Sequence, residues 1–70
     1  MKTHTTHTDK IFVFTVSIKG VVIARVRQSS GFPAELKVER RKIYKMDDAM
    51  EYYRGIREAV RIFGERLDND

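Results

Sequence analysis

Two strand-like runs joined by a short turn signal constrain this chain more than any other feature. Residues 10–18 and 21–28 are dense in Val, Ile, Phe and Thr, the residue types that favour strands. Lys19 and Gly20 separate them, and a glycine at such a break is typical of a hairpin turn. The sequence therefore predicts an antiparallel β-hairpin as the centre of the fold.

Two registers fit this hairpin, and they place different side chains on each face. A loop of two residues, Lys19–Gly20, would put Phe12 and Phe14 on the face of the arginines. A loop of three residues that begins at Ile18 separates apolar from polar side chains, as a sheet with one dry side requires. We therefore predict the three-residue loop. One face then holds Phe12, Phe14, Val16, Val22, Ala24 and Val26. The other face holds Val13, Thr15, Ser17, Ile23, Arg25 and Arg27.

The segments on either side of the hairpin are less regular. Residues 1–9 are rich in Thr and His without apolar periodicity, and we expect a flexible N-terminal tail. Residues 29–34 contain Ser, Gly and Pro and are expected to form a loop. Residues 35–46 alternate as a strand does, but the basic run at residues 40–42 interrupts the alternation. A bulge or a tight turn dividing two short strands would explain this interruption.

The last part of the chain has the periodicity of a helix. Asp47 or Asp48 can cap its N-terminus, and Asp48 with Glu51 has the spacing of a capping box. An apolar stripe of the width of a core-facing surface follows. The predicted core-facing residues are Ala49, Tyr52, Tyr53, Ile56, Ala59, Val60, Phe63 and Leu67. The predicted solvated face carries Glu51, Arg54, Glu58, Arg61 and Glu65.

These elements predict one α+β domain over residues 10–70, in which an antiparallel sheet of three to four strands precedes one C-terminal helix. The order is β-β-β(-β)-α. A chain of 70 residues buries only about 60% of the surface that its unfolded form exposes. The chain has no cysteine, so disulfides cannot compensate. We therefore expect a homodimer.

Charge is unevenly distributed along the chain. Residues 1–46 hold ten Lys/Arg and three Asp/Glu, a balance of +7, whereas residues 47–70 hold four and seven, a balance of −3. The basic half contains the predicted sheet. A cationic surface of this kind attracts polyanions, of which nucleic acid is the commonest in a cell.

The candidate binding residues lie on the predicted polar face and in the segment after it. Arg25 and Arg27 project from the second hairpin strand, and Phe32 lies in the following loop, where a base could stack on it. Further basic residues can extend the charge: Lys37, Arg40, Arg41, Lys42 and Lys45. Two plainer interpretations stay open. The arginines could simply solvate the wet face of the sheet, and Phe32 could anchor its loop against the sheet edge.

Two stretches resemble a known family. "IKGVVIARVR" (residues 18–27) is similar to the hairpin of the single-stranded-DNA-binding domain of the transcriptional positive cofactor four coactivators. It matches at Lys19, Gly20, Val22 and Arg27. "RKIYKMDDAM" (residues 41–50) is similar to that domain's entry into its helix, with Lys42, Tyr44 and Met46 in the motif positions. The resemblance implies a homodimer whose sheets bind single-stranded DNA, with Lys19 and Arg27 on the DNA backbone.

Catalytic and metal-binding patterns are weak in this sequence. His4 and His7 are the only histidines and there is no cysteine, so a structural zinc site lacks ligands. Ser29 and Ser30 have no histidine in a predicted element to activate them. We expect no enzyme activity, no cofactor and no metal. The first ten residues contain no apolar run and no stretch is long enough to cross a bilayer, so we expect a protein of the cytoplasm, the nucleus or a virus-infected cell's interior.

Two functions from different classes follow. The first is a non-enzymatic protein that binds single-stranded DNA, or RNA, on a basic sheet face, with a role in transcription or replication. The second is a small protein-interaction module, such as a virus-encoded inhibitor, whose basic surface covers an acidic partner protein. Binding to a labelled oligonucleotide distinguishes them.

Overall fold

The computed structural model describes residues 1–40 and 48–68 as four strands and one helix. The strands form one antiparallel sheet in the order β1-β2-β3-β4. Their bounds are β1 Lys2–His7, β2 Ile11–Ile18, β3 Val21–Ser29 and β4 Glu35–Val38, and the helix α1 is Ala49–Asp68. The α+β fold with a four-stranded antiparallel sheet and one C-terminal helix is therefore confirmed.

The N-terminal segment belongs to the sheet, so the expectation of a loose tail over residues 1–9 is wrong. β1 pairs with β2 along its whole length, from Lys2 opposite Ser17 to His7 opposite Phe12. The hydroxyl of Thr8 stabilises the turn by accepting hydrogen bonds from the backbone N–H groups of Lys10 and Ile11, at 3.3 and 3.1 Å. Every side chain of β1 is exposed.

The central hairpin has a two-residue turn, and the predicted three-residue loop is wrong. Lys19 and Gly20 both have positive φ, 52° and 79°, as a type I′ turn requires. Ser17 pairs with Val22, but Val16 pairs with Ala24. Ile23 is therefore an extra residue in β3, the arrangement called a β-bulge.

Because of the bulge, apolar and polar side chains lie on separate faces of the hairpin as predicted, except that Ile23 and Val22 exchange places. Beyond it Phe14 pairs with Val26 and Thr15 with Arg25, so the phenylalanines still face the core and the arginines face away. Ile23 was expected on the polar face, yet it is fully buried, at 0% exposed. Val22 was expected in the core but is only half-buried and pairs with Ser17.

The core lies between one face of the sheet and α1. Strand side chains supply most of it, and Val16, Ile23 and Val26 are the largest that are completely enclosed. Leu36 and Val38 of β4 pack against its margin. Glu39 continues the pairing past β4 by donating its N–H to the Ile23 carbonyl at 2.8 Å.

The helix begins as predicted but presents a different face to the sheet. The Asp48 carboxylate accepts hydrogen bonds from the N–H groups of Met50 and Glu51, at 2.9 and 3.3 Å, which confirms it as the N-cap. The buried helix residues are Tyr52, Gly55 and Ala59, and the half-buried apolar ones are Ile56, Ile62 and Phe63.

Four residues of the predicted core stripe are instead exposed. We call them the helix seam: Ala49, Tyr53, Val60 and Leu67. Tyr53 is 56%, Val60 49% and Leu67 45% exposed. Their expected burial is wrong because Gly55 and Ala59, which lack bulky side chains, are the residues that face the sheet. The helix seam therefore lies at the side of α1, where it is exposed to solvent.

Candidate nucleic-acid interface

The face of the sheet that turns away from α1 is uncovered in the described part of the chain. The strand register assigns its residues, since directly paired residues point to the same side. We call this surface the open face. It comprises Lys2, His4, Thr6, Ile11, Val13, Thr15, Ser17, Val22, Arg25, Arg27, Ser29, Glu35 and Lys37.

Small side chains make the middle of the open face flat. Val13, Thr15 and Ser17 of β2 alternate with buried residues and are half-buried themselves. None of them is long enough to rise above its neighbours. The long cationic side chains of β3 and β4 therefore stand at the border of a shallow surface that is accessible to a large ligand.

The cationic groups of the open face lie on adjacent strands. Thr15 pairs with Arg25 and Arg25 pairs with Lys37, so the two cations project side by side at the usual strand spacing of about 4.8 Å. Arg25, Arg27 and Lys37 are all exposed. Two like charges directly across a strand pair destabilise a sheet, which an anion bound between them would relieve.

Carboxylates reduce this charge only in part. Glu35 is the cross-strand partner of Arg27, and Glu39 approaches the Lys37 ammonium at 4.0 Å. Within the described residues, Arg25 and Arg27 form no ion pair. The open face holds four Lys/Arg and one Asp/Glu, a balance of +3.

Phe32 lies at the end of the open face and is 69% exposed. It lines a groove of about 300 Å³ together with Arg27, Ser29, Pro33 and Glu35. Its loop is held by hydrogen bonds from the Ser30 N–H to the Lys10 carbonyl, 2.8 Å, and from its own N–H to the Ser29 carbonyl, 3.0 Å. The ring is thus presented on an ordered turn beside an arginine, and its exposure argues against the loop-anchor interpretation.

Phe32 also borders a second cleft, of about 510 Å³, at the end of the sheet. There the Arg66 guanidinium lies 4.1 Å from the centre of the Phe12 ring and donates from Nε to Gln28 Oε1 at 3.0 Å. His7 contacts the same ring edge-on, at 5.5 Å between centroids. Lys10 lines the cleft as well.

No pattern in the sequence indicates that His7, Lys10 and Arg66 form one site. They come from the end of β1, the β1–β2 turn and the last turn of α1, and only the docking of the helix brings them together. The Thr-rich composition of β1, which favours strands, is the one signal that could have placed His7 in the sheet beside Phe12.

The remaining predicted site residues are dispersed. Lys19 is exposed at the tip of the hairpin, and Arg40 is exposed two residues after β4. Arg41, Lys42 and Lys45 lie outside the described residues, as does the predicted second half of the extended segment.

No family model, curated protein or solved structure matches this chain. Among residues 1–40 and 48–68, no group of three or more His, Cys, Asp or Glu side chains could hold a metal ion. In the same part of the chain, no helix combines the length and the apolar character needed to cross a membrane.

The outer side of α1 differs from the open face because its charges neutralise one another. Arg61 binds the Glu58 carboxylate and donates to Glu65 Oε1 at 2.7 Å. The hydrogen bond from Arg61 lowers the pKa of Glu58, and the same contact raises the pKa of Arg61. The Arg61 guanidinium is therefore already paired with two carboxylates.

Proposed function

We propose that the protein is a non-enzymatic nucleic-acid-binding protein that holds a single strand on the open face. The observation that carries this proposal is the exposure of Arg25, Arg27 and Lys37 on one flat surface that ends at the exposed ring of Phe32. Cations hold the phosphate backbone, whereas an aromatic ring takes a base irrespective of its identity.

The shape of this surface favours a single strand over a duplex. Sequence reading of B-DNA requires an element that enters the major groove, usually a helix, but α1 carries as many Asp/Glu as Arg residues, four of each. A sheet surface with an exposed aromatic ring instead suits unstacked bases, as in other sheet-based single-strand readers. The resemblance to the positive cofactor four domain supports the same ligand, since it places Arg27 on the DNA backbone.

Fluorescence anisotropy with labelled oligo-dT tests the proposal. Measurements at about 50 mM and about 200 mM salt give the slope of log K against log salt, which is expected to be about −0.7 for each phosphate neutralised on a single strand. The variant Arg25→Ala/Arg27→Ala should weaken binding and reduce the magnitude of the slope by about 1.4 if each guanidinium neutralises one phosphate.

A matched variant distinguishes the loss of the binding site on the open face from the loss of net positive charge. Arg54→Ala/Arg61→Ala removes the same formal charge from the helix, and it should leave the slope close to that of the unaltered protein. Equal losses in both variants, or no binding of oligo-dT at low salt, would contradict the proposal. In the latter case an acidic protein partner for the open face becomes the better interpretation.

A further inference from the structure

The cleft at the end of the sheet brings cationic and aromatic groups together outside the open face. We call it the end cleft and define it by its border residues Lys10, Phe32 and Arg66. Its volume of about 510 Å³ lies within the usual range of ligand pockets, about 300–1,000 Å³. The two turns that form its rim are joined by the hydrogen bond from the Ser30 N–H to the Lys10 carbonyl, 2.8 Å. The fold itself therefore orders the rim of the end cleft.

Arg66 is held at the end cleft with hydrogen-bond donors that the fold does not use. Its guanidinium lies 4.1 Å from the centre of the Phe12 ring, and its Nε donates to Gln28 Oε1 at 3.0 Å. Among the described residues, its two terminal nitrogens have no hydrogen-bond partner and Arg66 forms no ion pair. A guanidinium held in this way suits an anion with several oxygens, because it can donate two parallel hydrogen bonds.

The charges around the end cleft favour an anion, and a doubly charged one above all. Lys10 is exposed and, in the described part of the chain, forms no ion pair. Asp9 is the one carboxylate among the described residues that line the cleft, so Lys10 and Arg66 outweigh it. A phosphate monoester carries a charge of about −1.5 to −2 at neutral pH and three acceptor oxygens. A phosphate diester inside a strand carries a single charge, so the two cations bind a terminal monoester more strongly.

The end cleft adjoins the groove beside Arg27 on the open face. Ser29, Phe32 and Pro33 line both. A strand that lies on the open face and stacks a base on Phe32 therefore ends at the entrance of the end cleft.

We propose that the end cleft binds the phosphorylated end of a nucleic-acid strand, with Lys10 and Arg66 on the terminal phosphate and the last base on Phe32. This inference rests on the proposed function and extends it from the interior of a strand to its end. A phosphate monoester is the same chemical group at a 5′ and at a 3′ end, and the measurements below distinguish the two ends.

Anisotropy of oligo-dT with a fluorophore at an internal position tests the inference, because such a label leaves both ends accessible. Three strands of about eight nucleotides, a length within the usual range for one small domain, are compared: one with hydroxyl ends, one with a 5′-phosphate and one with a 3′-phosphate. One of the two phosphorylated strands should bind about tenfold more tightly than the hydroxyl-ended strand, the gain expected of one charge-assisted contact. A hydroxyl-ended strand longer by one nucleotide carries the same number of phosphates and should gain far less.

Variants of the full chain assign this preference to the end cleft. Lys10→Glu and Arg66→Ala should each remove the preference for the phosphorylated end and still bind the hydroxyl-ended strand. Arg57→Glu makes the same change of charge as Lys10→Glu at an exposed position of α1, and it should keep the preference. Asp9→Asn should strengthen the preference, since it removes the carboxylate that opposes the anion. Should Arg66→Ala fail to fold by circular dichroism, Lys10→Glu and Asp9→Asn still decide the question, because misfolding cannot produce effects of opposite sign.

The outcomes distinguish failure of the end cleft from failure of the open face. Equal binding of the hydroxyl-ended and both phosphorylated strands overturns the end-cleft site and leaves the open-face proposal standing. Binding of a phosphorylated strand alone contradicts the open face and supports the end cleft, whereas no binding of any strand overturns both. A preference that Lys10→Glu retains also overturns the inference, since the terminal phosphate would then bind elsewhere.

Discussion

The two faces of the same strands have opposite character. On the face towards α1, Phe14, Val16 and Val26 are buried and touch apolar neighbours. On the open face, Thr15 and Arg25 alternate with them along the chain and meet solvent. On our proposal, one side of the sheet provides stability and the other side provides the binding surface. Substitutions on the two faces should therefore have separable effects.

The bulge at Ile23 provides the sharpest test of that separation. Ile23→Ala should lower the free energy of unfolding by about 2–5 kcal/mol, as expected for a buried isoleucine. Val22→Ala, at the adjacent position on the open face, should cost far less. Urea denaturation measures both. If Val22→Ala were the more damaging change, the bulge would be absent and the three-residue loop predicted from the sequence would be right.

Substitution of Phe32 tests binding by the open face without disturbing the core. Phe32→Ala should weaken oligo-dT binding by about 1–3 kcal/mol, the contribution of one base stacked on an aromatic ring, with unchanged stability. Phe32→Trp serves as the control, since it keeps an aromatic surface and should retain the affinity. Unchanged binding by Phe32→Ala would mean that no base stacks there. Anisotropy and thermal unfolding are sufficient for the comparison.

Substitutions of the two glycines of α1 test how closely the helix approaches the face of the sheet that is towards it. A Cβ at Gly64 would meet no atom within 4 Å, so Gly64→Ala should raise stability by about 0.5–1 kcal/mol through helix propensity. A Cβ at Gly55 would lie 2.6 Å from Ile23 Cδ1 and 3.0 Å from Val16 Cγ1. Gly55→Ala should lower stability, since overpacking costs about 1–3 kcal/mol.

Urea denaturation of both glycine variants gives the contrast directly. The opposite signs are the expected result. A gain of similar size in both variants would show that α1 does not lie as close to Ile23 as described.

The smallest expected effect concerns the charges on the outer side of α1. Arg61→Ala should raise the pKa of Glu58 towards its ordinary value, which NMR titration measures. Because the pKa of Glu58 is lowered in the folded protein, its contribution to stability is present at neutral pH and is lost as the pH falls through that lowered value. The stability difference between Arg61→Ala and the unaltered protein should therefore shrink in acid. An identical Glu58 pKa in both proteins would rule out this pairing in solution.

Much of the sheet could be predicted because apolar alternation is a strong signal. The faces of Phe14 and Arg25 follow from it in spite of the wrong loop length. The bulge could not be predicted, since a two-residue turn with one extra residue and a three-residue loop give nearly the same alternation. β1 was missed because its Thr and His side chains are all exposed and have no apolar periodicity.

The position of the helix in the sequence was predicted correctly, but the face that it buries was not, and the reason is physical. The largest apolar side chains define its most regular stripe, yet close approach to a sheet favours small residues. Gly55 and Ala59 therefore face Ile23 and the core, while Val60 and Leu67 remain exposed. The Arg66–Phe12 contact could not be predicted, because it depends on how the docked helix ends over the sheet.

The most direct test of the central claim is an NMR titration of isotope-labelled protein with oligo-dT. The proposal predicts that amide shifts concentrate on the open face and its border, at Thr15, Arg25, Arg27, Phe32 and Lys37, and that the outer side of α1 changes little. Shifts confined to the helix, or no shifts at low salt, would contradict the claim that the open face binds a single strand.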